Sequence, residues 1–133
     1  MKDISKELIP AYYTILSGLS LPVYDGMAPD TEKGSYVLMG EFFSTQDQNK
    51  NGYLFDVTIL IDICIKNGKF GFKDADNYAD QLFALINSDS QPTLSSFQII
   101  TTEVLSTNRL TGLNNTEPTF RRLIRFGHSI SQL

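Results

Sequence analysis

The stretch DQNKNG, Asp47 to Gly52, sets side-chain oxygens at alternate positions and a glycine at the sixth. A helix-loop-helix calcium site begins in this way, with the glycine making the sharp turn. Such a loop closes its coordination shell with a bidentate carboxylate at the twelfth position, where this chain has Thr58. Only Asp47 brings a carboxylate among the expected ligand positions. The residues that follow, YLFDVTI, alternate as a strand does, whereas the calcium site needs a helix. Asn51-Gly52 between two strand patterns is a hairpin signal, because both residues tolerate positive φ. The expectation is a hairpin tip and no metal site.

Other residues with chemical potential fare no better as catalysts. Asp56 and Asp62 share one face of a strand, but six residues of strand separate them by roughly 20 Å, too far for a glycosidase-type carboxylate pair. They read as charges on a wet or partner-facing surface. His128 is the only histidine, so no two-histidine mechanism or histidine-rich metal site can be built. On a strand face with Phe120, Arg122, Ile124, Phe126 and Ile130, it is expected to complete a hydrogen-bond pattern. Cys64 is the only cysteine and lies in an apolar run, where a free thiol acts as a small hydrophobe. No G-x-S-x-G and no phosphate-loop pattern occurs. Lys66, Lys69 and Lys73 interleave with Phe70 and Phe72, a spacing that a nucleic-acid strand could use. The acidic total favours an ordinary exposed connection with two buried aromatics.

The last strand offers a different chemistry. Arg121 and Arg125 stand about 13 Å apart on the face opposite its aromatics. Arginine is favoured at protein contacts, and the strand bearing Asp56 and Asp62 offers a complement. These four residues are therefore candidates for a subunit or partner interface.

The elements that would position these residues follow from periodicity. Ile4, Leu8, Tyr12, Ile15 and Leu19 mark one helix face, with Asp3 as N-cap, Gly18 as stop, and a kink or fresh start at Pro10. A short extended piece is expected at Val23 and Tyr24, then a strand from about Tyr36 to Thr45. In YLFDVTILIDICIK every odd position from Tyr53 to Ile65 is apolar, which commits one strand face to a core. Ala75, Tyr78, Ala79, Leu82, Phe83 and Ile86 form the stripe of a second helix with Asp74 as N-cap. Two strands follow, roughly 97–105 and 119–130, separated by a projecting loop at about 106–118. The order α-β-β-β-α-β-β predicts an α+β fold, two helices on a mostly antiparallel sheet.

Length and composition bound the function. The 133 residues suit one domain spanning 1–133 with a core of its own. A net charge of −4 argues against a broad nucleic-acid footprint. The first residues carry Glu7, Pro10 and Thr14 among their apolar positions, so they fit neither a signal peptide nor a membrane span. A protein made and kept in a cytoplasm is expected.

Several strings, taken in order, carry a family likeness. A first helix ending near Gly18 is followed by LPVYDGMAP, SYVLMGEF, YLFDVTILIDICIK, DADNYADQLFALINS and two final strands. The whole resembles the tail-completion or tail-terminator proteins of long-tailed bacteriophages and related prophages. Val23-Tyr24 and Pro29 match the family's pattern, while Ser35 stands where a second proline would enter the next strand. The resemblance implies a non-enzymatic virion protein, made in the cytoplasm of a bacterial host and needing no cofactor. It would form a ring, commonly a hexamer, at the head-proximal end of the tail. It would meet the tail tube protein on one side and a head-connector or neck protein on the other. DNA would pass through the ring without being read, and no membrane is involved. Ring contacts must be heterologous, using two surfaces of each subunit. Arg109, Leu110 and Leu113 in the expected loop are candidates for them, since a free loop has little use for apolar side chains. The competing expectation is a small α+β ligand-binding or enzyme-like domain, with tyrosines and His128 around a site between helix and sheet.

Overall fold

A computed structural model of the chain describes residues 2–49, 52–66, 71–114 and 117–133. Two helices and five strands follow one another as α1 (Ser5–Leu16), β1 (Val23–Asp25), β2 (Tyr36–Asn49), β3 (Gly52–Lys66), α2 (Lys73–Leu85), β4 (Phe97–Asn114) and β5 (Glu117–Gln132). This is the expected α+β order.

The sheet runs β1-β2-β3-β5-β4, antiparallel except where β1 lies parallel to β2. Val57, Ile59, Ile61 and Ile63 project from β3 into the core, beside Ile124, Phe126 and Ile130 of β5. Leu8, Tyr12 and Leu16 of α1 and Ala75, Ala79 and Leu82 of α2 are buried in the same core. Each buried aliphatic side chain contributes about 2 kcal/mol of transfer free energy, so this one layer contact dominates the fold's stability.

The helix ends differ from expectation. Asp3 does not occupy the N-cap of α1, which falls on Ile4, but its Oδ1 accepts from the Ser5 backbone N–H at 3.0 Å and hydroxyl at 2.7 Å. The carboxylate thus serves the first turn from one residue further out. Helix α1 runs through Pro10 without a fresh start. After it, Ser17–Leu19 forms a 3-10 turn, and the left-handed residue is Ser20 at φ 64° rather than Gly18. In α2 the N-cap position is Phe72, and Asp74 lies inside the first turn with Asp76. Both carboxylates there favour the positive end of the helix dipole.

The largest correction concerns the expected loop at 106–118. β4 and β5 pair from Phe97↔Gln132 to Asn114↔Glu117, so residues 106–114 and 117–118 belong to the two arms of one long hairpin. Its polar residues hid the strands because the helices leave this part of β4 uncovered, and no apolar alternation is required there. At the other hairpin, Asn49 pairs with Gly52, and a strand follows where a calcium site would need a helix. Lys50 and Asn51, between that pair, lie outside the described residues.

Candidate interface surfaces

Both helices cover one face of the sheet, and the other face carries Asp56, Asp62, Arg121 and Arg125. Asp62 pairs across β3 and β5 with Leu123, two residue positions from Cys64↔Arg121 and on the same sheet face. The Arg121 guanidinium reaches diagonally to it. Its Nε donates to Oδ1 at 3.2 Å and Oδ2 at 3.1 Å, and Nη2 donates to Oδ2 as well. Asp62 is only 5% exposed, so the complement expected between subunits is made here within one chain. Such a forked, charge-assisted pair is among the stronger hydrogen-bonded arrangements.

The remaining charges are looser. Arg125 Nη2 lies 3.4 Å from Glu41 Oε2, reaching over β3 to β2. Asp56 accepts a hydrogen bond from the Ser129 hydroxyl at 3.2 Å. As expected, Asp56 and Asp62 do not converge, since six residues of one strand separate them.

Arg109 lies on the helix side of the hairpin. Its Nη2 is 2.5 Å from Asp76 Oδ2, and its Cζ stands 4.9 Å from the centre of the Phe72 ring. Arg122 joins the same carboxylate, with Nη1 2.7 Å from Asp76 Oδ1 and Nη2 donating to the Thr107 hydroxyl at 2.5 Å. Burial pushes the Asp76 carboxyl up, but the bonds from Arg122 and Arg109 outweigh it and hold the group below the usual range. The hairpin is thereby tied to the first turn of α2. Sequence reasoning missed Asp76, because an acidic residue early in a helix already has a sufficient explanation in the helix dipole. Leu110 is exposed on β4, and the side chain of Leu113 lies outside the described residues.

His128 and Tyr12, the groups a ligand site between helix and sheet would use, are spent on each other. The Tyr12 hydroxyl meets His128 Nε2, and the Thr102 hydroxyl lies 3.0 Å from Nδ1. A neutral imidazole has one donor and one acceptor, so two hydroxyls satisfy both nitrogens in either tautomer. Burial pushes the His128 pKa down to about 4, which keeps the ring neutral, and the same burial raises the Tyr12 hydroxyl.

Cys64 is buried on the open face, where burial raises its thiol pKa. That is the behaviour of a packing residue rather than a nucleophile. Among the described residues, no group of three or more His, Cys, Asp or Glu side chains is placed to hold a metal ion. No helix among them is long and apolar enough to cross a membrane.

Exposed apolar residues gather on the hairpin. Ile100, Val104, Leu105 and Leu110 all belong to β4, the terminal strand of the sheet. The pairing with β5 skips a residue between Ile99 and Thr101 and again between Val104 and Ser106, so Ile100 and Leu105 are bulged residues. The Leu105 side chain lies over Gly127, where a Cβ would meet its Cδ1 at 2.9 Å.

No protein-family model matches the chain, and no curated protein matches it in sequence. Solved structures do match in shape. A chain from the virion of a native gene transfer agent particle superposes with a TM-score of 0.74 at 17% identity, over 98% of this chain and 99% of that one. A second solved structure superposes with a TM-score of 0.58 at 14% identity, over 91% of this chain and 92% of that one. At such identities the likeness is one of fold.

Proposed function

We propose that this chain is a structural, non-enzymatic virion protein of a phage or prophage. It forms a ring, commonly of six copies, at the head–tail junction, where it ends growth of the tail tube and joins tail to head. The observation that carries this reading is the end-to-end fold likeness to a chain of a virion particle. The sequence strings that resemble tail-terminator proteins supply the position within the virion. The distribution of polar groups agrees: the ionisable side chains on both sheet faces hold the chain's own elements together, as Asp62 with Arg121 and Asp76 with Arg109 and Arg122 do.

A ring at this place meets the tail tube protein on one side and a head-connector or neck protein on the other. DNA passes through it without sequence readout. The test is genetic. Removing the gene from the producing phage or prophage should leave filled heads and separate tails with tubes of uneven length, and supplying the wild-type gene in trans should restore joined particles. Joined particles with tails of normal length in the absence of the gene would contradict the assignment.

A further inference from the structure

A closed ring requires two different surfaces that fit each other, and the sheet has two unlike edges. At one end β4 presents 18 residues, Phe97–Asn114, with no strand on its outer side among the described residues. At the other end β1 covers only Val37–Met39 of β2, leaving Phe42–Asn49 open on that side.

Exposed edges are commonly protected by lysine, proline or like charge. β4 contains neither Lys nor Pro, and its two charges, Glu103 and Arg109, are opposite in sign. Its bulges twist the strand, which is one protective device, but Ile100, Val104 and Leu105 leave exposed apolar surface along it. An edge of this kind is suited to being covered.

Strand direction identifies what covers it. β2, β3, β5 and β4 are antiparallel in succession, so β4 runs opposite to β2, and β1 runs with β2. A second copy placed head-to-tail, with its sheet facing the same way, therefore brings β1 and β2 antiparallel to β4 of the first. Levels along the sheet also agree. Thr107, Ile124, Ile61, Met39 and Asp25 share one level through successive pairs. A ring closes only if successive copies do not climb, so Arg109 of one copy stands within about two residues of Asp25 of the next. Arg109 is 58% exposed and Asp25 is exposed, so their opposite charges can meet. On the level of Glu103, Gly127 and Thr58 lies Phe43, 56% exposed and on the open face, where, on the neighbouring copy, the exposed Leu105 side chain lies over Gly127.

We infer that β4 of one copy pairs antiparallel with the β1–β2 edge of the next, so that the sheet continues from subunit to subunit around the ring. This rests on the ring reading above and names the surface that closes it. The experiment uses two full-length variants, each blocked at one edge: Ile100→Lys with Val104→Lys on β4, and Phe43→Lys with Thr45→Lys on β2. Leu85→Lys, on α2, is the control. Native mass spectrometry of the wild type and the control should show the ring. Each edge variant alone should be a monomer. An equimolar mixture of the two should give a heterodimer and nothing larger, because each retains the edge the other lacks; its formation also shows that both variants are folded. Rings persisting in either edge variant, or a mixture that stays monomeric while the wild type forms a ring, would overturn the edge pairing and leave the ring reading standing. A wild type monomeric at every concentration, with its partner proteins and without them, would overturn both.

Discussion

The hydroxyl of Tyr12 on α1 meets Nε2 of His128 on β5 in the buried layer between helix and sheet, across 116 positions of sequence. The contact fixes the rotation and height of α1 over the sheet, since Tyr12 is fully buried and His128 is only 3% exposed. Tyr12→Phe removes the hydroxyl while keeping the ring's packing against Phe126, and it leaves one imidazole nitrogen buried without a partner. The expected cost is about 1–3 kcal/mol, measured by urea denaturation. Unchanged stability would mean that the contact does not hold the helix.

The same histidine makes stability depend on pH. Its folded pKa of about 4 lies below the ordinary 6.5, so the unfolded chain takes up the proton first as pH falls. Stability from this group is therefore full above about pH 6.5, declines as pH falls from there to 4, and levels below. The span corresponds to about 3 kcal/mol. His128→Gln should flatten the stability profile between pH 6.5 and 4 relative to the wild type; an equal slope in both would contradict the assignment.

Asp76 joins α2 to the hairpin through two arginines. Asp76→Ala leaves Arg122 with its bond to Thr107 and Arg109 with its contact over the Phe72 ring. A loss of about 2 kcal/mol is expected, with faster amide exchange along the outer half of β4. Exchange unchanged at residues 105–112 would show that the hairpin is held by strand pairing alone.

The Asp62–Arg121 pair should be asymmetric under mutation. The Arg121 side chain is 34% exposed and can turn to water when Asp62 is lost, whereas the Asp62 side chain is 7% exposed and cannot. Arg121→Ala is therefore expected to cost about 3 kcal/mol, and Asp62→Ala distinctly less. The two chemical-denaturation midpoints decide it, and the reverse order would refute the burial argument.

The sequence carried the core well and the charged surfaces poorly, for reasons visible in single residues. The odd positions of β3 face a helix layer, so burial imposes alternation that survives in the residues themselves. Asp62 and Cys64 are buried on the opposite face because Arg121 and Tyr36 lie against them, and such partners come from distant strands. Residues 106–118 look like a loop in composition because most of β4 packs against no helix. Hydrogen bonding to β5, which places few demands on residue type, is what makes that segment a strand. Ser20 takes a left-handed conformation two residues after Gly18, which does not use it, a choice that local sequence does not mark.

Native mass spectrometry of the purified chain over a concentration series, with and without calcium, tests the central claim most directly. The expected result is a closed ring, in a hexamer six times the 14.9 kDa chain mass, unchanged by calcium. Open-ended assemblies of every size, or a calcium-bound mass, would contradict it.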